Sequence, residues 1–455
     1  MPPNLSFENL KKDVTNGFVD TVIAAIPDMQ GRLVGKRFHA DFFVTHAWDE
    51  THCCQYLLAT DFEMETVDGY RSTSWAQGYG DYVMKPDLDT LKRLPWSPGT
   101  AFVLCDVIDH HSHEEVAIAP RSILKKQLKR LEALGFSTAV ATELEFFVFT
   151  ESYADLHASN YQTPTPISAY NEDYHLFQTA KEESLMRNIR NHLHAAGIRV
   201  ENTKGEAAAG QAEINVYYDD ALITADNHCL IKQGIKEMAL QDGKSVTFMA
   251  KWHSDTSGSS SHIHQSLQDL YGNSVFYDPA QPHSMSMTMQ HYLAGLLHYL
   301  SDITLAMAPF VNSYKRFAAG TFAPTKAVWS LDNRTAGYRV VGTDSPGVRI
   351  ETRIGGADLN PYIAMAANLA AGLAGIEQKL ELPPAFSGDA YTTTNLPTIP
   401  THLRAATDAF YNSAMLRQAW GDEVVEHYSR AARWEQEHFD TRVTDYELQR
   451  GLEQS

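Results

Sequence analysis

Apolar positions in residues 20–38, DTVIAAIPDMQGRLVGKRF, fall into two β-rich runs around a Pro-Asp-Met-Gln-Gly turn. AFVLCDVI at 101–108 reads as a further buried strand, so the pattern predicts a small, sheet-rich first domain ending near residue 112. After Pro120, RSILKKQLKRLEALG places Ile123, Leu124, Leu128, Leu131 and Leu134 on one helical stripe and stops at Gly135, a helix lying on a sheet. Strand-like runs (STAVATELEFFVF, AEINVYY, VTFMAKW, HIHQSL, YRVVG, VRIETRI) then alternate with helical stretches such as KEESLMRNIRNHLHAAG and PYIAMAANLAAGLAGIEQKL. This mixed order predicts an α+β catalytic domain. No tandem repeat or low-complexity tract interrupts it.

Composition narrows the function classes. A chain of 455 residues with 44% apolar and 20% charged positions reads as a globular protein large enough for two domains. Its net charge of −19 works against phosphate backbones and anionic membrane surfaces, so neither a nucleic acid nor a membrane is expected as a partner. The opening MPPNLSFENLKKDV lacks the features of a signal peptide, and nowhere do 18 apolar residues run together, which predicts a cytoplasmic location. Cys53, Cys54, Cys105 and Cys229 show no CxxC spacing and are expected to be reduced thiols.

Several short clusters carry chemistry. In ATELEFFVF, Glu143 and Glu145 leave the same face of a strand, which is costly unless something positive sits between them. A cation site and a solvent-exposed strand face are both compatible with that pair. KGEAAAGQAEINV adds Glu206 and Glu213 around a flexible Gly-Gln, and SGSSSHIHQS adds His262 and His264 on one strand face. In GVRIETRI, Arg349, Glu351 and Arg353 share a face opposite Val348, Ile350 and Thr352, a pattern suited to a site handling both a cation and anions. NSYKRFAAG and LDNRTAGYRVVG supply Arg316, Arg334 and Arg339 just upstream. An ordinary salt-bridge network is the plainer alternative for these charges.

Together, from about residue 15 to 450, these motifs resemble the glutamine synthetase family in kind and order: ExE, E-x6-E, GSxxHxH, NSYKR, NR-x4-R and RxExR. The resemblance implies a β-grasp-like domain over 1–112 and, over 113–455, a catalytic domain whose antiparallel sheet forms a funnel. It further implies two magnesium or manganese ions. Glu145, Glu206 and Glu213 would hold one, and Glu143, His262 and Glu351 the other, donor sets suited to hard cations. By the same mapping Arg316, Arg353, Ser257 and Gly258 would bind L-glutamate. Glu201, His264, Ser266 and Arg349 would contact ATP, together with Arg334 and Arg339, which would also stabilise the transferring phosphoryl group. The implied reaction forms a γ-glutamyl phosphate that an amine then attacks under a closing lid. Rings of six subunits, often stacked in pairs, with sites shared between neighbours, are implied as well.

Two departures qualify the match. Glutamine-forming members carry a glutamate after the YKR motif, where YKRFAAGTFAP presents Phe322. An aromatic ring in place of an acid favours a primary alkyl or aromatic amine as acceptor over ammonium. The alternatives are a glutamine synthetase using ammonium, a γ-glutamylpolyamine synthetase, or an inactive structural homologue. Asp68, in VDGYRSTSW, is the candidate for the family's ammonium-site aspartate and hence for the base, with Tyr70 and Trp75 as possible pocket walls; an exposed turn and core packing are the plainer readings. The tyrosine that is adenylylated in some bacterial relatives is replaced by Thr394, with Tyr391 out of register, which argues against that control.

Overall fold

The computed structural model describes residues 5–162 and 164–455. Residues 1–4, the start of the segment read above for a leader, lie outside this range. Six strands build the first sheet: β1 (Thr21–Pro27), β2 (Leu33–His39), β3 (Thr51–Cys54), β4 (Asp81–Pro86), β5 (Lys92–Arg93) and β6 (Thr100–Asp109). Their order is β2-β1-β6-β4-β3, with β5 also pairing β6 and with β1 parallel to β6. The expected turn joins β1 to β2. Asp28 accepts from the amides of Gln30 and Arg32 at 3.0 and 2.8 Å, and Gly31 takes φ +78° where a Cβ would lie 3.1 Å from Asn360.

The helix Pro120–Ala133 follows, with Pro120 in its first turn and Ile123, Leu124 and Leu131 buried. Leu134, expected on the same stripe, lies past the last turn and is exposed. Arg121 is buried on this helix and donates to Asp87, Asp106 and Asp226, tying the first sheet to the helix Ala221–Gln241. Opening such a buried network by removing one partner costs about 3–5 kcal/mol.

Eight strands form the second sheet: β7 (Phe136–Phe149), β8 (Val200–Gly205), β9 (Gln211–Val216), β10 (Ser245–Thr247), β11 (Ser261–Asp269), β12 (Trp329–Leu331), β13 (Tyr338–Val341) and β14 (Arg349–Thr352). The order β12-β13-β14-β11-β7-β9-β8 is antiparallel except where β12 runs parallel to β13. VTFMAKW contributes only Val246 and Thr247 to β10, because after Thr247 the chain leaves the sheet and Lys251 donates its amide to Asn312. The α+β class holds. Helix Pro361–Gln378 is buried almost all round, and its Gly372 and Gly375 make room for the Tyr292 ring and the Gly295 backbone.

Four carboxy-terminal helices complete the chain, and Asp422–Asp440 reaches back to the first sheet. His427 donates to the Leu58 carbonyl at 2.7 Å, Tyr428 to that of Ile118 at 3.1 Å and Arg430 to that of Asp68 at 2.8 Å. One apolar cluster accordingly runs from Val22 and Ile26 through Ile123 to Leu373 and Trp420. The four cysteines are free, and no helix among the described residues is long and apolar enough to cross a membrane.

Candidate active site

Register across the second sheet sets charged residues in rows. Arg339 on β13 faces Glu351 on β14, which faces His264 on β11. His262 on β11 faces Glu143 on β7, which faces Asn215 on β9. Glu145 on β7 faces Glu213 on β9, which faces Lys204 on β8. Antiparallel pairing brings directly opposed side chains to one face, so acids distant in sequence converge on a cavity of about 680 Å³.

Two groups of carboxylates result. In the first, ligand atoms of Glu145, Glu206 and Glu213 lie within 4.8 Å of one another. Glu145 is fixed by the Ser260 amide at 2.8 Å, the Ser260 hydroxyl, and the Gln211 amide at 3.1 Å, which also donates to the Gly258 carbonyl. Burial, and then the charges of the neighbouring glutamates, push the carboxyls of Glu145 and Glu213 well above the usual carboxylate range. Against three acids stand two cations: Lys204 pairs with Glu206 and lies 3.8 Å from Glu213, and the Arg316 charge acts on Glu145. The group lacks positive charge, which a divalent cation bound by oxygen donors fits.

In the second group, ligand atoms of Glu143, His264 and Glu351 lie within 4.8 Å of one another. His262 Nδ1 sits 3.0 Å from Glu143 and 3.5 Å from Glu351. The two imidazoles are not equivalent. Arg349 donates to His264 Nδ1 at 3.2 Å, which leaves the proton on Nε2, where it points at Glu143 at 2.8 Å. Burial works against the Glu143 carboxylate, but hydrogen bonds from both imidazoles outweigh it and hold its pKa far below the usual range. Glu351 also binds Arg353 and, at 2.9 Å, Arg339.

Guanidinium groups line the same cavity. Arg316 is buried and donates at 2.9 Å to the carbonyls of Ile354 and Arg353; burial pushes its pKa down to about 10, so it stays charged at neutral pH. Arg353 donates to the Phe322 carbonyl at 3.2 Å, and Arg334, Ser257 and Gly258 also face the cavity. An adjoining cavity of about 350 Å³ shares Glu143 and Glu201 and is lined by His264, Ser266 and Arg349.

Phe322 lines the main cavity with its ring 53% exposed and its backbone at φ +57°. Asp68 does not line it; the residue is exposed beside Arg430. Tyr70 is buried against His427, and Trp75 is exposed, edge-on to Tyr79 at 5.1 Å. Tyr391 donates to the Ala323 carbonyl at 3.0 Å, beside Phe322. Lys204, Gln211 and Ser260 escaped the reading of the sequence, although Lys204 lies two residues before Glu206.

The glutamine synthetase catalytic domain matches residues 117–451. Over 452 residues the chain is 48% identical to the γ-glutamylethanolamide synthetase of Streptomyces coelicolor, spanning 99% of this chain and 96% of that protein. It is 36% identical to a glutamate–isopropylamine ligase from a Pseudomonas species, over 96% and 95% of the two. A solved GmaS–ADP complex superposes with a TM-score of 0.85 at 25% identity, over 97% of this chain and 99% of that one. With the convergent acids and guanidinium groups in place and the match running along nearly the whole chain, this protein belongs to the glutamine synthetase family.

Proposed function

We propose that the protein is an ATP-dependent ligase that joins the γ-carboxylate of L-glutamate to a small primary amine. Its curated relatives include enzymes named for ethanolamide and isopropylamide formation, and Phe322 supports an acceptor with a carbon substituent. The observation that carries the reading is one cavity holding two carboxylate groups ringed by Arg316, Arg334, Arg339 and Arg353. Glu145, Glu206 and Glu213 would hold one magnesium or manganese ion, and Glu143, His262 and Glu351 the other. Those ions would supply charge neutralisation to glutamate and to the nucleotide phosphates. His262 is preferred to His264 as ligand because its Nδ1 lies near both carboxylates and its proton can pass to Nε2 when a cation binds, whereas the hydrogen bond from Arg349 to Nδ1 keeps the His264 proton on Nε2.

Arg316, Arg353 and the Ser257-Gly258 backbone orient glutamate so that its side-chain oxygen attacks the terminal phosphate of ATP. Glu201, His264, Ser266 and Arg349 contact the nucleotide. Arg334 and Arg339 offset the negative charge that spreads over the transferring phosphoryl group. The amine then displaces phosphate from the acyl phosphate. Asp68 is the proposed base; within one chain it lies outside the cavity, so it would serve a neighbour's site in a homo-oligomeric ring. We take 1–112 and 113–455 as the two domains that such sharing would pair. A cytoplasmic location is part of the same proposal.

A polyamine would need an uncommitted acid, and Asp173, which lines the cavity, faces Lys204 at 3.9 Å. ADP release measured with glutamate, ATP and magnesium against ammonium, ethanolamine, isopropylamine, putrescine and aniline tests the assignment. A short organic monoamine should be preferred. Turnover fastest with ammonium would overturn the acceptor class, and no amine-dependent ADP release would overturn the ligase.

A further inference from the structure

A smaller cavity of about 70 Å³ lies outside the catalytic basin, in the seam where the Asp422–Asp440 helix crosses the first region. Its wall joins hydrocarbon, including Leu305 and Ile363, to the rings of Tyr70 and Trp434 and to the carboxylates of Asp61 and Glu435. Thr60 and Tyr70 also line it. Both are buried, 1% and 6% exposed, and both hydroxyls lack a hydrogen-bond partner. A buried hydroxyl left unpaired destabilises the fold, and a ligand with N–H donors would recover that loss.

The charged residues that line the cavity, Asp61 and Glu435, are both acidic. Among the described residues Glu435 and Asp61 take part in no ion pair; Glu435 accepts at 3.4 Å from the Val311 amide, and Asp61 accepts from the Trp434 indole at 3.2 Å and from the amides of Glu63 and Glu65 at 3.1 and 2.9 Å. Burial, with Glu63 and Asp61 nearby, pushes the Glu435 carboxyl up. Two guanidiniums at the rim already lie on ring faces of the wall, Arg32 5.3 Å over Phe62 and Arg430 5.5 Å over Trp434, and the His438 ring stacks on Trp434. Arg32 pairs with Asp28 and donates to the carbonyls of Asp61 and Phe62, while Arg430 pairs with Glu437 and donates to the Asp68 carbonyl.

We propose that this cavity binds a small primary organic ammonium, its hydrocarbon body against the aliphatic wall and its N–H groups on Glu435 and the Thr60 and Tyr70 hydroxyls. An ammonium brings three donors to three acceptors. The ligand class follows from this wall alone and stands whatever amine the ligase accepts.

Titration of the full chain with isopropylammonium chloride, without ATP and glutamate so that no amide forms, tests it against isopropanol as the neutral probe. Crystals soaked in the same salt locate the ion. Density should fill the cavity, isopropanol should bind at least tenfold more weakly than the ammonium, and Glu435→Gln should weaken ammonium binding at least tenfold. Tyr70→Phe should weaken it severalfold, and it alone decides if Glu435→Gln fails to fold. Phe322→Glu reports any binding at the catalytic basin and should leave this site unchanged. A cavity without the ion, or variants that titrate like the wild type, would overturn the proposal.

Discussion

Phe322 combines a half-exposed aromatic ring with a left-handed backbone, a conformation that costs a non-glycine residue on the order of 1 kcal/mol or more. Arg353 and Tyr391 hold the loop in that shape by donating to the carbonyls of Phe322 and Ala323. Contact of one ring face with a hydrocarbon substituent is worth about 0.8–1.5 kcal/mol, half of a full burial. Phe322→Glu should therefore lower kcat/KM for isopropylamine relative to ammonium by about tenfold, read from paired ADP-release assays. An unchanged ratio would mean that the ring does not meet the acceptor. At this scale much of the site was legible, because period-two alternation puts Glu143 beside Glu145 and Arg349 beside Glu351 without further knowledge. Gln211 and Ser260 were not, since their hold on Glu145 exists only once β7, β9 and β11 have paired.

Elements close in sequence were read where their apolar period was clean, as in β1, β6 and the helix Pro120–Ala133. The Asp422–Asp440 helix was not. Its buried stripe, Val424, Val425, Tyr428 and Ala432, is interrupted by Ser429 and by His427, whose hydrogen-bond partners, Leu58 and Ser72, lie more than 350 positions away. His427 is consequently a buried neutral imidazole: burial pushes its pKa down to about 4, despite the hydrogen bond to Leu58. His228, under β7 beside Thr142, is pushed by burial and then by Lys232 to about 3. Both folded pKa values lie below the unfolded value near 6.5. The stability these groups contribute is thus present above about pH 6.5 and is lost as pH falls towards 4 and 3. Between about pH 6 and 5 the slope from the pair approaches two protons, about 3 kcal/mol per pH unit. Denaturant unfolding of His427→Gln should show a shallower acid slope by about one proton, and a slope identical to wild type would contradict the assignment.

For the molecule as a whole, the two carboxylate groups couple folding to cations. A divalent ion at one hundred times its Kd stabilises by about 2.7 kcal/mol per site. Magnesium or manganese should raise the unfolding midpoint, chelation should reverse the rise, and Glu213→Gln should remove part of it along with activity. A midpoint indifferent to both metals would sink the two-ion assignment.

The position of Asp68 raises the question of which chain it serves. It is exposed in the first region, away from the cavity that its own β7 and β14 help to build. If each site pairs Asp68 of one subunit with Glu351 of the next, Asp68→Asn and Glu351→Gln should each be nearly inactive alone. Dissociated and reassembled together in equal amounts, they leave about one interface in four intact, since each half of a site is drawn independently in a symmetric ring. Recovery of about a quarter of wild-type turnover is the expected result. A mixture as inactive as its components would confine Asp68 to its own chain, and would require the base that deprotonates the amine to come from the residues already lining the cavity.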